Sequence, residues 1–148
     1  MYLLMLDAKG IDLNMKKTKW GLIGCGKVVL KNKKIPFINK NNTITAICTT
    51  TMLTAENAKK KLKLPECNCY TDINDMLSNS NIDCIYIATP PKFHYTYLKM
   101  LCKYNIPIYV EKPFVKTIEE ANQIIKIYPK NGIRASILSF TSFIITYY

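Results

Sequence analysis

Residues 19–29 read Lys-Trp-Gly-Leu-Ile-Gly-Cys-Gly-Lys-Val-Val, and this stretch constrains the fold more than any other. A short apolar strand, residues 20–23, runs into Gly24-Cys25-Gly26, and a helix-compatible run opening with Lys27 and Val28 follows. Strand, glycine turn and helix in that order form the phosphate-receiving part of a dinucleotide-binding unit. Gly24 permits the sharp turn off the strand. Gly26 carries no Cβ, so a pyrophosphate can approach the main-chain N–H groups and the positive end of the following helix. The third small position of the pattern holds Val29, which should keep helix and strand slightly further apart. An ordinary glycine turn has the same local sequence, so the other segments have to decide.

The chain has 148 residues, one domain's worth, without repeats or low-complexity tracts. Its net charge of +11 invites a nucleic-acid reading. The lysines are scattered, with clusters only at Lys31, Lys33 and Lys34 and at Lys59, Lys60, Lys61 and Lys63, and Arg134 is the sole arginine. Nucleic-acid readers lean on arginine for bidentate contacts, so no specific nucleic-acid partner is expected, only salt-sensitive nonspecific binding. The six cysteines form no Cys-x-x-Cys pair and have no histidine at zinc spacing, so no metal site is expected and a reduced, cytoplasmic setting fits best. No segment reaches membrane-spanning length. Residues 1–14 make a poor signal peptide, and Met15 before Lys16-Lys17 is a credible true start, which would make 1–14 a non-native or disordered extension.

Along the chain, Pro36 breaks the first helix near Lys34, with one helical turn expected over 36–39. Residues 43–48 form a β-branched second strand, and 55–62 a helix ended by Leu64-Pro65. Cys69-Tyr70 is a brief third strand, and Thr71-Asp72 caps a short helix. Residues 83–88 are nearly continuously apolar, as expected of a strand covered on both faces in a parallel sheet. A helix over 93–104, a buried strand over 107–110 and a helix opened by the capping box Thr117/Glu120 follow. Asn131-Gly132 closes that helix, and a sixth strand is predicted over 133–138. The alternation predicts a doubly wound α/β parallel sheet, the Rossmann fold, with its crevice at the carboxyl ends of the strands. The turn at 24–26, Thr49-Thr50, Thr89-Pro90-Pro91 and Glu111-Lys112-Pro113 are all strand ends and should converge.

These four segments together resemble the N-terminal domain of the glucose-fructose oxidoreductase, inositol dehydrogenase and rhizopine-catabolism family (Gfo/Idh/MocA). The residues that carry the resemblance are 20–28, Tyr86-Ile87-Ala88-Thr89-Pro90-Pro91 with His94, and Val110-Glu111-Lys112-Pro113 before the capped helix, so it spans about residues 19–133. It implies a domain at 15–134 that binds NAD or NADP through Gly24, Cys25, Gly26, Lys27 and Val28, with Thr49 and Thr50 at the adenosine ribose. It further implies Thr89, Pro90, Pro91 and Glu111 along the nucleotide, and Lys112 as the catalytic residue by the nicotinamide, preceding a cis Pro113, with a solvated surface lysine as the alternative reading of Lys112. His94 is open between two roles, a group on or behind the nicotinamide side and a helix-start histidine satisfied by backbone. The second strand ends in Cys48-Thr49-Thr50-Thr51, with neither an acid for a ribose 2'-hydroxyl nor an arginine for a 2'-phosphate. Lys59 or Lys60 would have to reach that phosphate, and the lean is to NADP. Alternatively, the threonines merely cap the next helix.

The family's C-terminal α+β domain, which carries most of the substrate pocket, has no counterpart in these 148 residues. Residues 135–148 end in an apolar, uncharged tail, expected to come from truncation or a frameshift, or else to be a strand that pairs with a partner. The resemblance therefore implies hydride transfer to or from a sugar- or polyol-like substrate if a C-terminal domain is supplied, possible oligomers through that domain, and inactivity alone. A non-catalytic dinucleotide-binding remnant is the alternative, and a basic nucleic-acid binder a third.

Overall fold

The computed structural model describes residues 17–26, 29–30, 41–104, 106–128 and 135–138. Six strands form one parallel sheet: β1 (Thr18–Ile23), β2 (Asn42–Cys48), β3 (Asn68–Tyr70), β4 (Cys84–Ile87), β5 (Ile108–Glu111) and β6 (Ala135–Leu138), in the order β3-β2-β1-β4-β5-β6. The helices are α1 (Met52–Leu62), α2 (Ile73–Asn79), α3 (His94–Leu101), which continues a 3-10 turn at Pro91–Phe93, and α4 (Ile118–Ile127). The strand order reverses at the β1/β4 boundary, where successive crossovers go to opposite sides and a crevice opens at the carboxyl ends.

Both faces of the sheet are covered, as the uninterrupted apolar runs require. Trp20, Leu22, Cys84, Tyr86 and Tyr109 pack on one face with Ala55 and Ala58 of α1. Ile23, Ile85, Ile87, Ile108 and Val110 pack on the other with Met76 of α2, Leu98 and Leu101 of α3 and Ile124 of α4. Each such aliphatic side chain, taken from water to full burial, contributes roughly 1.5–3 kcal/mol. Trp20 and Tyr109 lie two strands apart, and their ring centroids approach to 4.9 Å. The alternation slips once: Trp20 pairs with Ile44 and Gly21 with Ala46, so Thr45 is an extra residue that bends β2.

The caps explain most helix boundaries. Thr51 accepts from the Thr54 amide and starts α1 at Met52, before the start expected at 55. Asp72 caps α2 through the amides of Asn74 and Asp75. Thr117 accepts from the Glu120 amide, while the Glu120 carboxylate reaches the Lys116 N–H rather than that of Thr117, a capping box shifted by one residue on its return bond. The parallel pairing of β6 with β5 carries the sheet through Leu138, past the domain boundary expected at residue 134. The expected first helix, apart from Val29 and Leu30, the turn at 36–39, residues 1–14 and the tail beyond 138 lie outside the described residues.

Candidate functional site

The site is built around the end of β1. The Gly24 N–H donates to Cys48 O (2.9 Å) and the Ala88 N–H to Ile23 O (2.8 Å), which tie the turn to the strand ends on either side. Gly24 has φ +82°, and a Cβ there would lie 2.5 Å from Thr89 Cγ2 and 3.0 Å from the Thr89 nitrogen. Glycine is therefore required by the protein itself at this position. Gly26 is different. It is exposed, and a Cβ would meet only Ala88 O at 3.6 Å, an ordinary contact. The Val29 and Leu30 amides both donate to Gly26 O, so helical bonding starts at this residue. Cys25 points its thiol into the core, where burial first, then Cys69 and Cys48, push it up to about 12, leaving only its main chain to face the crevice. Lys27 and Val28 lie outside the described residues.

At the end of β2, the Thr49 amide donates to Tyr70 O and its hydroxyl to Thr51 O (2.8 Å), while Thr51 caps α1. Two of the three threonines, Thr49 and Thr51, are thus engaged in local structure, and Thr50 is exposed. Lys59 and Lys60 sit in the last turn of α1, at the far end of the helix from Thr50. At about 1.5 Å of rise per residue, neither can serve a phosphate at the end of β2, which corrects the expectation for those two lysines.

At the end of β4, the buried Thr89 hydroxyl has no hydrogen-bond partner among the described residues. A buried hydroxyl in that state lacks a compensating bond, and a bound polar group at the crevice would supply one. Pro90 is exposed and Pro91 begins the 3-10 turn. At the end of β5, Glu111 is buried and accepts from the Tyr86 hydroxyl on the neighbouring strand, whereas Lys112 is exposed. Burial first, and then the Glu111 carboxylate, raise the Tyr86 phenol far above its ordinary range. The Lys112–Pro113 peptide bond is cis.

His94, the chain's single histidine, is fully buried. Its Nε2 lies 2.8 Å from Thr89 O, and its Nδ1 lies 2.9 Å from Pro113 O and 3.2 Å from Phe114 O. Of its two expected roles, the geometry matches the histidine satisfied by backbone. Tyr86 was not singled out from the sequence. Its signal was a phenol in the middle of an apolar strand, which needs a polar partner when buried.

The glycine turn, Thr89 and the loop that carries Lys112 therefore converge at the carboxyl edge of the sheet, joined by direct contacts rather than by sequence order alone. Several known proteins are similar to this chain in sequence or in fold. Oxidoreductase P35 of Formosa agariphila is 26% identical over 129 residues, covering 84% of this chain and 38% of that protein. The WlbA dehydrogenase of Bordetella pertussis, solved with NADH and UDP-GlcNAcA, superposes with a TM-score of 0.72 at 22% identity, over 83% of this chain and 37% of that one. The scyllo-inositol dehydrogenase of Lactobacillus casei, solved with NAD(H) and scyllo-inositol, gives a TM-score of 0.67 at 21% identity, over 82% and 36%. The chain thus spans well under half the length of these relatives. Residues 18–138 match the model of the oxidoreductase family with the NAD-binding Rossmann fold, and the chain belongs to that family, Gfo/Idh/MocA.

Proposed function

We propose that this chain is the coenzyme-binding part of an oxidoreductase that moves hydride between a nicotinamide dinucleotide and a sugar- or polyol-like substrate. The observation that carries the proposal is Gly26. Gly24 is explained by its own φ and by Thr89, but nothing in the described protein demands a missing side chain at Gly26, so the space above it is kept for a group from outside. The unpartnered Thr89 hydroxyl beside the same turn fits the same group. In this reading the main chain of residues 24–26 receives the pyrophosphate, Thr50 lies at the adenosine ribose, and Thr89, Pro90 and Pro91 line the middle of the dinucleotide. Lys27 and Val28 would continue the phosphate contacts.

A nicotinamide coenzyme, when bound, supplies the hydride chemistry. The chain's contribution at that end is Lys112, an exposed cation that would donate a hydrogen bond to the substrate oxygen. Glu111 acts behind it, since its carboxylate is engaged by Tyr86. NADP is accepted at least as well as NAD, because no carboxylate stands in the Cys48-Thr49-Thr50-Thr51 segment to repel a 2'-phosphate.

A second reading, binding without turnover by these 148 residues alone, is favoured by the state of the other titratable groups. Glu111 is tied to Tyr86 and His94 to three carbonyls, so Lys112 has no acid–base companion at the site among the described residues. Titrating the purified chain with NADH and NADPH, followed by a turnover screen with sugars and polyols, tests both readings. Saturable binding of either coenzyme supports the proposal. Absence of binding to both sinks it, and turnover by the chain alone removes the second reading.

A further inference from the structure

Two loops flank the crevice, one after β4 and one after β5, and they are not adjacent in sequence. His94 touches both from inside. Its ring is wholly removed from solvent, with Thr89 O on one edge and Pro113 O and Phe114 O on the other. Placing an imidazole in a protein interior is costly unless its polar atoms are bonded. Carbonyl oxygens only accept, so the ring can bond to them only as a donor, and a neutral imidazole has one N–H for the two sides, the other nitrogen holding its loop by close contact alone. Thr89 in turn is packed against the glycine turn closely enough that a Cβ on Gly24 would collide with it at 2.5 Å. A continuous chain of contacts therefore runs from Gly24 through Thr89 and His94 to Pro113, the residue after Lys112.

We propose that His94 is a positioning residue that sets the distance between the phosphate-receiving turn and the Lys112 loop, so that the two halves of a dinucleotide meet one rigid frame. This inference rests on the dinucleotide reading above. It predicts an uneven effect. The adenosine and pyrophosphate contacts belong to β1, β2 and the glycine turn, none of which His94 holds directly, whereas the nicotinamide end depends on the loop that its Nδ1 side holds. A displacement of about 1 Å at that end is enough to cost up to about two orders of magnitude in a position-sensitive interaction.

The test compares the full chain with His94→Phe and His94→Gln, titrating each with NADH and with ADP-ribose, which lacks the nicotinamide, and following thermal unfolding in parallel. The expected result is a loss of NADH affinity on the order of tenfold in His94→Phe, with ADP-ribose affinity changed by less than about twofold. Partial recovery is expected in His94→Gln, whose amide N–H can still serve one carbonyl. Equal weakening of both ligands, no change in either, or failure of both variants to fold would assign His94 to stability alone and overturn the inference. Failure of the unmodified chain to bind either ligand would overturn the dinucleotide reading, and this inference with it.

Discussion

Tyr86 on β4 donates its phenolic hydrogen to the Glu111 carboxylate at the end of β5, and both side chains are buried. The pair crosses two neighbouring strands just before Lys112 leaves the sheet. It fixes the direction from which the exposed lysine departs. It also means that Glu111 presents its charge inward, toward a partner, rather than freely to the crevice.

Removing the phenol should therefore be costly. Tyr86→Phe leaves a buried carboxylate short of its donor and should lower stability by about 1–3 kcal/mol. Glu111→Gln should cost less, because the amide oxygen still accepts from Tyr86. Urea unfolding of the two variants checks the order, and equal losses would show that the carboxylate charge, not the hydrogen bond, dominates.

The two glycines of the turn should separate cleanly. Gly24→Ala places a methyl group against Thr89 at a left-handed φ and should destabilise the fold by at least about 1 kcal/mol. Gly26→Ala meets only an ordinary contact, so its melting temperature should hardly move, while coenzyme affinity falls on the order of tenfold. Thermal melts and NADPH titration of both variants suffice. A Gly26→Ala protein with undiminished affinity would contradict the placement of the pyrophosphate.

Lys112 is exposed, so Lys112→Met should change stability by less than about 0.5 kcal/mol. A cation beside the nicotinamide disfavours the positively charged oxidised ring more than the neutral reduced ring. Its removal should tighten NAD+ relative to NADH by a few-fold, consistent with the about 1 kcal/mol by which unit charges about 4 Å apart interact in water. Binding isotherms for both redox forms measure that ratio directly.

Alkaline pH should weaken the fold. Burial pushes the thiols of Cys25 and Cys67 up to about 12 and those of Cys48, Cys69 and Cys84 to about 11, from an ordinary 9.0. Their folded-state pKa values are raised, so above pH 9 the unfolded chain binds fewer protons than the folded one. The stabilisation is complete below about pH 9 and declines as pH rises through 11 to 12. Tyr86 and Tyr128, both raised by burial, act in the same direction. Urea midpoints should be insensitive to these groups at neutral pH and fall steadily above about pH 9, and the native thiols should alkylate slowly until urea is added.

Much of this was legible in the sequence because it is local. The apolar run at 84–87 has the pattern of a strand covered on both faces, and the Thr117 cap shows in four consecutive residues. The start of α1 was hidden because Met52 and Leu53 are apolar yet exposed, which masks the helical periodicity that would have revealed it. The bulge at Thr45, the Tyr86–Glu111 bond and the two-sided grip of His94 depend on which strands become neighbours, information that no short window carries. The convergence of the strand ends followed from the parallel topology. Which side chains would be consumed by structure there did not.

The place of β1 in the sheet has a consequence for partial unfolding. β1 is bonded along both edges, whereas β3, only three residues long, is bonded along one. Fraying should begin at that rim and reach the middle last. The proposed landing point for the coenzyme is thus moored to the most persistent ladder of the molecule, and a half-opened form that has shed its rim would retain the turn intact.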